Sequence, residues 1–198
     1  DLVLLGGDLA DTRRQALRLL HALRDLRAPM GVFAVPGNND AEAFGSMDSL
    51  RAALREIGAT LLVNESALCL RGGARLAVGG ADEPRYGRPS PEKIFHEDAD
   101  YRILLSHYPL KAMLAAKPDL MLCGHMHWLK VDRPGEEDMR FPANFPIVIG
   151  SAPMQRDNGR RYPEHPNAKF IGTAITFGKD GIAVESTDDQ GASAPMFP

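Results

Sequence analysis

The chain has 198 residues, 44% of them hydrophobic and 25% charged, which fits one globular domain with an ordinary core and excludes a wholly disordered chain. Its formal net charge of −3 argues against broad electrostatic capture of nucleic acid or anionic membrane, although local basic patches remain open. Cys69 and Cys123 both fall in strand-like runs, so they read as buried thiols rather than a disulfide framework or a zinc ribbon.

The first apolar run, residues 2–5, ends in Gly6-Gly7-Asp8. Asp11 or Thr12 can then cap a helix whose apolar positions Ala16, Leu19, Leu20, Leu23 and Leu26 recur every three or four residues. Pro29 bounds that helix, and residues 32–35 form a buried strand broken by Pro36-Gly37. Strand, helix, strand predicts a parallel crossover. Ser46 or Asp48 precedes a second amphipathic helix, with Leu50, Ala53, Leu54 and Ile57 inward and Gly58 as its stop.

Residues 60–63, 67–70 and 75–78 read as short antiparallel strands at the far side of a sheet. Residues 81–93, rich in Pro, Gly and charge, form a loop able to rim a cleft. A strand at 101–105, a short helix from about 110 to 116 and a strand at 119–123 restore the alternation. Residues 145–149, 170–177 and 182–185 supply further strands, the last two as a hairpin. A single domain over residues 1–189 with a flexible tail at 190–198 is expected, and no apolar stretch approaches the roughly 20 residues that span a bilayer.

Four ligand-bearing islands each follow a strand: Gly7-Asp8, Gly37-Asn38-Asn39-Asp40, Ser106-His107 and Gly124-His125-Met126-His127. Parallel strands bring such residues to one sheet edge, where open α/β sheets place their sites. Mixed Asp, Asn and His donors suit manganese, iron, zinc or nickel better than copper(I) or an iron–sulfur cluster.

In their order and spacing, Gly7-Asp8-Leu9-Ala10-Asp11, Gly37-Asn38-Asn39-Asp40, Ser106-His107 and Gly124-His125-Met126-His127 resemble the signature of the calcineurin-like metallophosphoesterases. The resemblance implies a four-layer αββα sandwich carrying a binuclear centre of two divalent ions. Asp8 would bridge both ions, Asn38, His107 and His125 would complete the second ion's protein shell, and His127 would ligate the first. It further implies a phosphoester hydrolase, with hydroxide activated by the ion pair attacking phosphorus in line. Asp11 and Asp40 are candidates to orient ligands or loop amides from behind, unless they serve only as a helix cap and a turn.

The family's opening Asp-x-His island has no counterpart in this chain. The expectation is that it lies one βαβ unit, about 30 residues, further upstream, and that the sandwich here lacks its first strand; the alternative is a mononuclear variant in which only the second ion keeps all its ligands. Asn39 stands where the family most often has a histidine touching the phosphate. An amide can hydrogen-bond a phosphoryl oxygen but has no proton to give near neutral pH, which removes a factor of about 10² to 10⁴ and favours phosphodiesters or good leaving groups.

The expected partner is a phosphoester substrate, a small molecule or nucleotide before bulk nucleic acid. The rival function is a protein-binding scaffold that kept the fold and lost catalysis, motivated by Asn39. A nuclease of the same fold would need a basic cleft that the net charge does not advertise. Arg156, Arg160 and Arg161 could contact a phosphate or face solvent, and Trp128 could stack a ring or pack against the sandwich. His21, His96 and His165 read as surface residues.

Overall fold

The computed structural model describes residues 1–126 and, beyond them, the backbone of five strands between Lys130 and Pro195. Three short strands, β1 (Val3–Leu5), β2 (Val32–Ala34) and β3 (Ala59–Leu61), pair in parallel in the order β1-β2-β3. Between them run the helices α1 (Arg13–Ala22), α2 (Asn38–Phe44) and α3 (Met47–Glu56). Thr12 caps α1 by accepting from the Gln15 amide, and Ser46 caps α3 by accepting from Ser49.

A six-stranded sheet follows, built from β4 (Glu65–Arg71), β5 (Ala74–Gly80), β6 (Tyr101–Ser106), β7 (Leu120–Cys123), β8 (Lys130–Asp132) and β9 (Ile147–Ile149) in the order β4-β5-β6-β7-β9-β8. Its centre, β5, β6, β7 and β9, is parallel, while β4 and β8 are antiparallel edges. A separate antiparallel sheet joins β10 (Phe170–Gly178), β11 (Gly181–Asp188) and β12 (Ser193–Pro195).

Two-residue alternation along the strands assigns the faces. Val32, Ala34, Ala59 and Leu61 pack with Ala16 and Leu20 of α1 and Leu50, Ala53 and Leu54 of α3. Phe33 and Val35, their alternates, turn instead toward the second sheet and meet Val78 and Cys69 or Ile103 and Leu105. On the second sheet's outer side, Leu104, Met121 and Cys123 meet Met113 and Ile94. Helices, sheet, sheet and short turns are thus stacked in that order. Both cysteines are buried. No helix among the described residues is long and apolar enough to cross a membrane.

Several elements differ from the sequence expectation. The run at 60–63 is no far-side antiparallel strand: it lies in the first sheet, parallel to β2, because α3 returns it there. Of the three runs grouped together, β4 and β5 pair antiparallel, and β5 is parallel to β6. The expected helix near 110–116 is a 3-10 helix, Lys111–Ala116. Lys117, in the left-handed region at φ 52°, precedes Pro118 and ends it. Within the stretch expected to be a flexible tail, Ser193–Pro195 pair with β11.

Candidate metal centre

β1, β2, β6 and β7 all point their C-terminal ends at one place, where the four islands begin. The turn after β1 is exacting. Gly7 has φ 85° and Asp8 has φ 54°, and a Cβ on Gly7 would sit 2.7 Å from the Gly37 nitrogen, so only glycine fits there. His125, at φ 63°, joins Asp8 as a non-glycine residue of this group in the left-handed region. Each such residue stores about 1–3 kcal/mol of strain, which the surroundings must hold in place.

Asp40 provides that hold on the β1 side. It is 1% exposed, and its carboxylate accepts from the amides of Asp8 (2.7 Å), Leu9 (2.9 Å) and Gly37 (3.0 Å). As third residue of α2 it reaches back to the residue before the helix, half of a capping box, and ties two islands together. Burial pushes its pKa above the usual carboxylate range against the pull of these amides.

Asp8, in turn, accepts at Oδ1 from the Asn39 amide at 2.9 Å. Burial works to raise its pKa, but His107, helped by that amide, outweighs burial and holds it below the usual range. The His107 ring is 3% exposed. Its Nδ1 is 2.8 Å from the Gly6 carbonyl oxygen and donates to it, which turns Nε2 toward Asp8 Oδ2, 3.2 Å away. That approach lacks hydrogen-bond geometry, so Nε2 is a buried polar atom that faces the Asp8 carboxylate without a hydrogen bond. Burial lowers the His107 pKa, and the Asp8 carboxylate more than reverses this, for a net rise.

Ligating atoms of Asp8, His107 and His125 all lie within 4.8 Å of one another. An imidazole that gives one N–H to a backbone carbonyl and presents its other nitrogen is arranged as metal-binding histidines are. An unpaired buried nitrogen otherwise costs about 1–3 kcal/mol. The residues present therefore fit a divalent ion bound by one carboxylate and two imidazoles.

Asn38 is buried beside this group, with Oδ1 accepting from the Tyr108 hydroxyl at 3.1 Å. The Tyr108 ring also stacks on His125, with centroids 3.8 Å apart. Sequence reasoning missed Tyr108, whose one signal was its place directly after His107. Asn39 Oδ1 accepts from Asn38 Nδ2 at 2.9 Å, and Asn39 Nδ2 makes a long contact, 3.4 Å, to Asp11. Asp11 is not the helix cap, since Thr12 is. His21 and His96 are exposed, as expected for surface residues. His127, Trp128, Arg156, Arg160, Arg161 and His165 lie outside the described residues.

Residues 1–129 match the family model for calcineurin-like phosphoesterases. The chain is 28% identical to the uncharacterized metallophosphoesterase YkuE of Bacillus subtilis (strain 168) over 142 residues, 68% of this chain and 49% of that protein. It is 30% identical to the phosphodiesterase YaeI of Escherichia coli (strain K12) over 155 residues, 72% of this chain and 57% of that protein. The chain thus spans about half the length of the curated relatives it matches. Among solved structures, a novel archaeal phosphodiesterase overlaps 99% of this chain and 82% of its own, with a TM-score of 0.45 at 12% identity. Zinc-complexed Vps29 of Entamoeba histolytica overlaps 98% and 95%, with a TM-score of 0.43 at 12% identity.

Proposed function

Since the chain belongs to the calcineurin-like phosphoesterase family, we propose that it is a metal-dependent phosphoester hydrolase and, more narrowly, a phosphodiesterase. One observation carries the reading: the buried His107 Nε2, which faces the Asp8 carboxylate without a hydrogen bond, shares a space of less than 5 Å with ligating atoms of Asp8 and His125. Asp8, Asn38, His107 and His125 would hold one divalent ion, and Asp8 with His127 would contribute to a second. Manganese, iron, zinc and nickel all suit this donor set. We assign the family's four-layer αββα sandwich to the chain as its architecture.

When bound, the ions supply Lewis-acid stabilisation of the phosphoryl oxygens and activate the attacking water. The chain's own residues orient that chemistry. Asp40 fixes the Asp8 turn, the Gly6 carbonyl holds the His107 tautomer, and Tyr108 braces both Asn38 and His125. Asn39 can donate a hydrogen bond to a phosphoryl oxygen but no proton, so the leaving group must depart without help from that position. This favours a diester with a good leaving group and is the basis of the narrower assignment, alongside the similarity to YaeI.

The test is hydrolysis of bis(p-nitrophenyl) phosphate by the full-length, manganese-loaded protein. Asp8→Ala and His125→Ala should each remove the activity. Full turnover in either variant would sink the proposal.

A further inference from the structure

The loop after β5 leaves the sheet at the edge where β6 and β7 deliver His107 and His125. Its Pro, Gly and charge content suggests slack, yet the loop is knotted by buried acceptors. Glu83 is 0% exposed and accepts from the Arg85 amide at 2.9 Å and the Tyr86 amide at 2.8 Å. Asp82 accepts from the Glu83 and Arg88 amides, both at 2.8 Å. Asn64 accepts from Asp82 (3.3 Å) and Ser90 (2.9 Å) and donates to the Arg88 carbonyl at 2.9 Å. Gly87 packs so closely on the Asp82 carboxylate that no Cβ would fit. The backbone that carries Arg85 is therefore fixed.

The Arg85 side chain reaches the Tyr108 hydroxyl as a hydrogen-bonding neighbour. That hydroxyl donates to Asn38, and the same ring covers His125, so Arg85 stands at the rim of the candidate metal centre. Its guanidinium carbon is also 5.7 Å from the centroid of the exposed Tyr86 ring, which limits its swing. No ion pair among the described residues includes Arg85. An exposed guanidinium on a fixed backbone, in no ion pair among the described residues and next to a site suited to phosphate, is placed to meet an anion.

We propose that Arg85 binds a nonbridging oxygen of the substrate phosphoryl group, acting as a substrate-binding residue on a preformed loop. This rests on the phosphoesterase reading above. A guanidinium presents planar paired donors that match two phosphate oxygens and stays charged at any working pH.

The experiment compares the full-length, manganese-loaded wild type with Arg85→Ala and Arg85→Lys. Three quantities are read: inorganic phosphate affinity by calorimetry, KM and kcat for bis(p-nitrophenyl) phosphate, and manganese affinity. Arg85→Ala should weaken phosphate binding and raise KM, each by about tenfold or more. Manganese affinity should stay within about twofold, and Arg85→Lys should recover part of the loss. Wild-type phosphate affinity in Arg85→Ala would overturn the proposal, as would loss of manganese, which would make Arg85 a brace for Tyr108. Absence of phosphate binding by the wild type would overturn it as well. Phosphate binding that depends on Arg85 in a protein without turnover would support Arg85 and refute the hydrolase reading alone.

Discussion

Replacing Asp40 with alanine removes the acceptor for three backbone amides, those of Asp8, Leu9 and Gly37. A hydrogen bond to a charged group contributes about 1.5–3 kcal/mol net, and a buried donor left unpaired costs about 1–3 kcal/mol. The three losses do not add in full. The Asp8 and Leu9 bonds are only partly buried, so water can reach those amides, and burial already opposes the Asp40 charge, raising its pKa. A net cost of about 3 kcal/mol is expected. At about 2–4 °C per kcal/mol for a domain of this size, the melting temperature should fall by about 6–12 °C.

Asp40→Asn keeps one acceptor oxygen but turns an NH2 group toward an amide donor, so its loss should be roughly half as large. Metal-free protein followed by circular dichroism on heating gives the comparison. Because Asp40 holds the Asp8 turn at φ 54°, manganese affinity should drop with stability across the two variants. A melting temperature for Asp40→Ala within about 2 °C of wild type would refute the claim that this carboxylate ties the two islands together.

Gly37→Ala offers a cleaner steric test, since φ −97° and ψ 173° suit alanine while its Cβ would collide with the Asp8 nitrogen and Oδ1. Overpacking of this kind costs about 1–3 kcal/mol, and calorimetry should show manganese binding weakened at least about tenfold; unchanged binding would mean that the contact is easily relieved. Tyr108→Phe keeps the stack on His125 and loses the bond to Asn38, worth about 0.5–1.5 kcal/mol, so metal affinity should fall by a factor of about 2 to 12. An Asn38→Ala background that leaves this factor intact would count against the contact. The Asp8 carboxylate raises the His107 pKa above its ordinary 6.5 despite burial, and an ion needs Nε2 unprotonated. Metal affinity should therefore rise with pH up to that raised value, with protons released on binding at pH 6.5. Titration in buffers of different ionisation enthalpy measures the release, and none at pH 6.5 would contradict the coupling.

The convergence of Asp8, His107 and His125 was legible because each follows a short apolar run, and strand ends are where side chains can converge. Sheet membership was not. The run at 60–63 has no feature that separates a parallel strand beside β2 from an antiparallel one elsewhere, because pairing is decided by partners distant in sequence. α2 was hidden for a different reason. Asn38, Asn39 and Asp40 are poor helix formers, and the helix starts there because Asp8 and Asp40 take up amides of its first turn and of the residue before it. Tyr108 and Arg85 became visible only through strand order, which sets the loop after β5 beside the residue after His107.

The role of Asp8, His107 and His125 is tested most directly by crystals of the full-length protein grown with zinc and measured at the zinc absorption edge. An anomalous peak is expected about 2.0–2.2 Å from an Asp8 carboxylate oxygen, His107 Nε2 and a His125 ring nitrogen. A map with no peak there, and with His107 Nε2 hydrogen-bonded to a protein group or to water, would contradict the assignment.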